Sequence, residues 1–155
     1  MLLLESRGQV ALNIRNDGSL RFSGGGAGRV LVGYGFSDSF TLATGFEIGG
    51  AGRFDQEGEV SAVLGGAVPI LFRFADASEI IDLELAAVTF LEGARGIPPG
   101  IRAAVAFGFL TPRVGGAFSP SALFWFGYEY HPRRGADDPF HVIAIGTRIG
   151  VDVDP

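Results

Sequence analysis

Large apolar residues recur at every second position along most of this chain, the period of a β-strand rather than of a helix. Eight such segments, separated by turn-rich stretches, are predicted to be strands. They run from about Gly8 to Arg15, Ser19 to Phe36, Phe40 to Phe54, Glu59 to Phe74, Ile80 to Glu92, Ile101 to Thr111, Ala122 to His131 and Phe140 to Val153. Asn16-Asp17-Gly18 closes the first segment, and Asp-Gly between alternating runs is the strongest short hairpin signal. Gly24 to Gly28 keeps the parity of the second segment, which favours one long strand over two strands split by a glycine loop. Pro69 lies in the middle of the fourth. It has no N–H for a ladder, so a bulge or local irregularity is expected there.

The charges of these segments fall on one face. Arg21 and Arg29 oppose Phe22, Val30, Val32, Tyr34 and Phe36 in the second, and Glu47 and Arg53 oppose Phe40, Phe46 and Ile48 in the third. Arg73 opposes Ile70, Phe72 and Phe74, and Asp82 and Glu84 oppose Ile81, Leu83 and Leu85. Arg102 opposes Val105 and Phe107, Glu129 opposes Phe126, Tyr128 and Tyr130, and Arg148 opposes Ile145 and Ile149. Side chains alternate across a strand, so each segment has one oily face and one sparsely charged face.

Two architectures accept eight such strands. A soluble, calycin-like barrel points the oily face inward; a membrane barrel points it at lipid. The neutral positions of the charged face favour the second. They are small, as at Ala27, Gly33, Ala43, Gly45, Gly49, Ala67, Ala86, Ala106, Gly127 and Gly146, where a water-facing sheet would carry Thr, Lys and Gln. The expected fold is therefore an all-β, eight-stranded antiparallel up-and-down transmembrane β-barrel with a polar lumen and an apolar outer face, one domain over residues 1–155. Arg21, Arg29, Glu47, Arg53, Arg73, Asp82, Glu84, Arg102, Glu129 and Arg148 form the candidate lumen charge network, because charges in a narrow lumen must pair. Trp125 shares that face, where its N–H needs a partner. Tyr34, Phe36, Phe72 and Phe74 are expected at the lipid interface of one end, and Tyr128 and Tyr130 at the other, joined there by Phe90 and Phe140.

Composition agrees with this reading. Hydrophobic residues make up 47% and charged residues 19%, yet no run is long and apolar enough for a membrane helix. The 25 glycines argue against a helical protein. All 12 basic residues are arginine, unusual for an ordinary water-facing surface. There is no cysteine, which excludes a thiolate metal site, and the net charge of −5 gives no reason to expect nucleic-acid binding. Met1-Leu2-Leu3-Leu4-Glu5 does not have the form of a signal peptide, so an export signal is expected outside this sequence.

On this pattern the chain resembles the small outer-membrane barrels, in particular the membrane-anchor barrel of OmpA-type proteins. Gly146-Thr147-Arg148-Ile149-Gly150-Val151 resembles the last-strand signal read by the outer-membrane assembly machinery, without its terminal Phe or Trp. The resemblance implies bacterial outer-membrane residence, with lipid and that machinery as partners. The acidic end, Val151-Asp152-Val153-Asp154-Pro155, resembles the start of a linker to a peptidoglycan-binding domain.

Candidate chemistry is sparse. His131 and His141 flank a loop with Glu129, Asp137 and Asp138, but no metal-ligand spacing is diagnostic. Ser119 or Ser121 with His131 and Glu129 supplies hydrolase residue types. The serines open the seventh strand and the histidine closes it, about 30 Å apart at strand rise, so no triad is expected. Gly24-Gly25-Gly26-Ala27-Gly28 lacks the following helix and Lys-Ser/Thr of a phosphate loop. Arg133-Arg134 are either lipid-phosphate contacts or a solvated pair. The expected function is a structural membrane anchor, not an enzyme and without a cofactor. A narrow channel or transporter and a soluble barrel for a small apolar ligand are the alternatives.

Overall fold

The computed structural model describes residues 1–54, 60–92, 95–111, 117–132 and 139–153, and the side chains of these except 53–54, 60–61, 92 and 95–98. The strands are β1 (Leu2–Arg15), β2 (Leu20–Ser37), β3 (Phe40–Phe54), β4 (Val60–Asp76), β5 (Glu79–Glu92), β6 (Arg95–Leu110), β7 (Phe118–His131) and β8 (Phe140–Val153). Each pairs antiparallel with the next, and β8 pairs with β1, so the sheet closes into a barrel. Closure leaves no strand edge unpaired, the condition for a sheet that meets no water on its outer face. An even strand number puts residues 1 and 153 at the same end, here the terminal rim. The tight turns at 38–39 and 77–78 lie on that rim, and the Asn16–Ser19 turn lies on the opposite one. Gly18 takes a φ of +80° in the latter, a backbone conformation that suits glycine, while the Asp17 carboxylate accepts the Ser19 N–H at 2.8 Å.

The two faces are inverted relative to a soluble protein. Phe46 and Ile48 are each 75% exposed, whereas Arg102 and Arg148 are each 1% exposed. Large apolar side chains point outward from every strand and the charges point in, which is the distribution of a transmembrane barrel. The lumen is not wholly polar. Leu3, Leu31, Ala43 and Leu71 pack together below the terminal rim, with Met1 against them. Ile80, Leu123, Trp125 and Val142 form a second group with Ala11, Ala106 and Ala144, and Val88 packs with Ala67, Ala86 and Phe90. Small residues alone predict an emptier lumen; these leucines and valines fill it.

Several strand limits differ from the sequence pattern. β1 begins at Leu2, not Gly8, because three successive leucines hide an alternation in which Leu3 points in and Leu4 out. β6 begins at Arg95 and β7 at Phe118, so Pro98-Pro99 and Ser119-Pro120 lie in strands rather than loops. The Gly24 to Gly28 stretch is continuous strand, in register with β1 and β3. At Pro69 the β3–β4 register continues without a bulge, but pairing lapses at Gly45 and Phe46, and the Thr44 hydroxyl donates to the Pro69 carbonyl at 2.8 Å. The register shifts instead between Val88 and Phe90 on the β5–β6 ladder.

Phe90 and Phe140 do not join the outer aromatic girdle. Phe90 has the parity of Asp82 and Glu84, and Phe140 that of Val142 and Arg148. Both rings pack inside, against His131, with centroids 5.3 Å and 4.4 Å away.

Glycine serves close strand approach on the inner face. A Cβ at Gly108 would lie 2.0 Å from the Ala122 carbonyl oxygen, whereas a Cβ at the outward Gly28 would meet nothing within 4 Å. Gly108→Ala is therefore expected to destabilise the barrel by about 1–3 kcal/mol, and Gly28→Ala to stay within about 0.5 kcal/mol of the parent. Urea unfolding in detergent micelles, followed by tryptophan fluorescence, measures both; equal losses would refute the assignment of faces.

Candidate functional site

The inward charges form one connected ion-pair network. Arg73 is its densest point. Its Nε and Nη2 donate to the two Asp82 oxygens, each at 2.9 Å, its Nη1 to Asp152 at 2.6 Å, and its Nη2 also to Glu5 at 2.6 Å. The planar guanidinium makes this possible: donors in a fixed fork reach carboxylates on β5, β8 and β1 at once. Arg102 repeats the arrangement one layer further from the terminal rim. It donates to both Glu47 oxygens at 2.8 and 3.0 Å and to Glu84 at 2.9 Å, with Glu129 at 3.6 Å.

Arg29 links the layers through Glu5 and Glu84. Arg148 does so through Asp82 at 3.0 Å and Glu84 at 3.1 Å, and Arg7 adds a bond to Glu47 at 2.8 Å. Every strand contributes a member. Glu84 alone bridges three arginines, from β2, β6 and β8.

Eight of the ten candidate lumen residues belong to this network: Arg29, Glu47, Arg73, Asp82, Glu84, Arg102, Glu129 and Arg148. Arg21 does not. It sits half-buried near the opposite rim, where its carbonyl accepts the Asn13 amide at 3.1 Å, and it has no ion pair among the described residues. The side chain of Arg53 lies outside the described residues, as do Arg133, Arg134, Asp137 and Asp138.

Glu5, Arg7 and Asp152 are members that the pattern missed. Glu5 and Arg7 precede the predicted start of the first strand, and Asp152 belongs to the stretch read as a linker although it lies within β8. Their odd or even parity, continued from Ala11 and from Arg148, was the signal that places them inside.

Trp125 faces the lumen, with the Arg7 guanidinium 4.1 Å from its ring centre and Arg102 at 5.9 Å. These are cation–π distances. Its Nε1, together with Arg7 Nε and Nη1, has no hydrogen-bonding partner among the described residues. Beside Arg7, Gln9, Glu47 and Glu129 lie two lumen cavities of about 30 and 40 Å³, room for a few waters and nothing larger.

At the opposite rim His131 is stacked on Phe140 with an interplanar angle of 6°, and its Nε2 lies 3.5 Å from Glu129. Ser119 and Ser121 are inward too, but near the terminal rim at the other end of β7, so they do not meet His131. Among the described residues no group of three or more His, Cys, Asp or Glu is arranged to hold a metal.

Outside, Tyr34, Phe36, Phe40 and Phe74 form a ring ladder along the terminal rim, with successive centroids 5.1, 5.6 and 5.2 Å apart. Phe72 is outward and half-buried on the same side of the barrel. Tyr128 and Tyr130 lie at the opposite end, with ring centroids 5.9 and 5.3 Å from that of His141.

No protein-family model and no curated protein matches this chain. Solved structures do. The chain is similar to Neisserial surface protein A, with a TM-score of 0.55 at 12% identity over 96% of both chains. It is also similar to Ail, the attachment invasion locus protein of Yersinia pestis, with a TM-score of 0.50 at 12% identity over 96% of this chain and 97% of that one. The fold is thus that of the eight-stranded outer-membrane β-barrels.

The network sets an unequal sensitivity to substitution. Glu84→Ala takes one carboxylate from each of three buried guanidinium groups, and loss of one partner of a buried pair costs about 3–5 kcal/mol. Ile145→Leu, on the outer face, exchanges one apolar isomer for another against adaptable surroundings and is expected to cost less than about 1 kcal/mol. Heat unfolding of the detergent-solubilised barrel compares the two; a Glu84→Ala barrel as stable as the parent would show that the network carries no stability.

Proposed function

We propose that this chain is a structural anchor of the bacterial outer membrane, an integral barrel that holds its place in lipid and catalyses no reaction. The filled lumen carries this reading. Arginine forks bind carboxylates from β1, β3, β5, β7 and β8, apolar side chains pack between them, and the cavities beside Arg7, Glu47 and Glu129 are only about 30 and 40 Å³, while a wider vestibule of about 760 Å³ at the terminal rim stops at Arg73 and Asp152. Each carboxylate of the network is held by at least one arginine, which leaves none poised as a general base or nucleophile. The outer face supports the membrane reading: its exposed residues are Phe, Ile, Leu and Val along strands long enough to cross the hydrocarbon layer, with aromatic clusters near both rims. Lipid is the partner of that face, and the outer-membrane assembly machinery is its partner during insertion.

Two measurements test the anchor. The purified chain is expected to need detergent or lipid; if it stays monodisperse in plain buffer, the membrane reading is lost. Planar bilayers containing the refolded barrel are expected to show no steady conductance above leak. Reproducible unitary currents that change in Arg102→Ala would replace the anchor with a narrow channel.

A further inference from the structure

The outer face of the barrel carries a histidine that the anchor role does not use. Of the two histidines, His131 points into the lumen and His141 points out. His141 is the second residue of β8, within about 7 Å of the opposite rim at strand rise. Tyr130 lies directly across from it on β7, with ring centroids 5.3 Å apart. Tyr128 stacks with it at 5.9 Å, and the Tyr128 hydroxyl is 2.6 Å from His141 Nδ1. Around the three lie Ile14, Ile101 and Ile143, the register partners of His141, Tyr130 and Tyr128.

We propose that Tyr128, Tyr130 and His141 form a binding site for the phosphorylated headgroup of a lipid in the leaflet at the opposite rim. The proposal rests on the membrane reading above. The hydrogen bond between Tyr128 and His141 fixes how many donors remain. If the phenol donates to Nδ1, the neutral imidazole carries its proton on Nε2 and presents that N–H outward. If Nδ1 donates to the phenol oxygen, the phenol hydrogen is free instead. An imidazolium can only donate from Nδ1 to the phenol oxygen, which leaves both Nε2–H and the phenol hydrogen free. Nε2 has no partner among the described residues, so one donor always remains, and the Tyr130 hydroxyl adds another. Donors at headgroup depth match acceptor oxygens, and a phosphate supplies them with charge, which roughly doubles the strength of such bonds. The isoleucines on the flanks match acyl chains, and the tyrosines have the amphipathic form that suits an interface. A free phosphate ion would use the donors but not the apolar flank, so the geometry points to a lipid.

The test uses the full chain refolded in uncharged maltoside micelles, with ¹⁵N-labelled histidine. Short-chain phosphatidic acid is titrated in while the two imidazole spectra are recorded. The His141 Nε2 signal is expected to shift saturably and the lumen His131 signal to stay in place. Tyr128→Phe, which removes only the hydroxyl, is expected to weaken the apparent affinity at least fivefold. In a parallel titration followed by ³¹P spectra, His141→Phe is expected to weaken it about tenfold or more.

Equal His141 shifts with diacylglycerol of the same chain length would overturn the headgroup assignment. Equal shifts with inorganic phosphate would overturn the lipid. Undiminished ³¹P binding by the folded His141→Phe barrel would overturn the site. A chain that does not refold in micelles at all would count against the membrane reading itself, and the refolding check separates that failure from a folded barrel that binds nothing.

Discussion

A charge inside a narrow barrel has lost most of its water, and only an opposite charge in hydrogen-bonding reach offsets that loss. The rest of this structure depends on meeting that condition. Arg7, Arg29, Arg73, Arg102 and Arg148 meet Glu5, Glu47, Asp82, Glu84, Glu129 and Asp152 in one continuous mesh. Ladder hydrogen bonds connect each strand to its two neighbours alone. The mesh connects strands across the lumen: Arg73 on β4 to Asp152 on β8, Arg29 on β2 to Glu84 on β5, Arg102 on β6 to Glu47 on β3. It therefore resists flattening and shear of the barrel, which the ladders by themselves resist weakly. The absence of lysine fits this role, since an ammonium is a point charge that cannot hold two carboxylates in a plane as a guanidinium does.

Once the charges occupy the axis, the remaining inner positions are constrained by volume. Where an arginine spans the lumen, the facing residues must be small, and the glycines at 45, 108 and 146 are so close to the next strand that a Cβ would fall 2.0 Å from a carbonyl oxygen. Away from the arginines the same space is filled by Leu3, Leu31 and Leu71 near the terminal rim and by Trp125, Leu123 and Val142 along β7 and β8. Trp125 joins the two kinds of filling. Its face takes the Arg7 guanidinium while its edges pack among alanines. The outer face has no such partners within the protein. Its bulk is set by lipid, which adapts to shape, so substitutions there are expected to matter less than those inside.

The proposed anchor role and the proposed lipid site would use different parts of the barrel. The lumen is cross-linked by ion pairs from every strand and would supply rigidity, while the aromatic belts and the Tyr128–His141 pair face outward near the rims. A rigid wall would suit that site: β7 holds both tyrosine rings with centroids 5.9 and 5.3 Å from that of the His141 ring on β8.

The period of two, and the side on which the charges fall, were legible in the chain as strand count, closure and the inverted faces. Alternation is a local property, and eight segments with one charged face have few ways to close without exposing that face to lipid. Most of the network's arginines and acids could be named because parity alone selects them. What parity could not supply was partnership. It does not tell that Arg73 reaches Asp152, 79 residues away, rather than a nearer acid, because stagger between strands sets which inward positions share a level. Parity does continue to Glu5, Arg7, Phe90 and Phe140, but a run of leucines hides it at the first two, and at the last two an aromatic ring is equally at home against lipid and over a buried histidine. Those choices belong to the tertiary structure, because they depend on the space left when eight strands surround one axis.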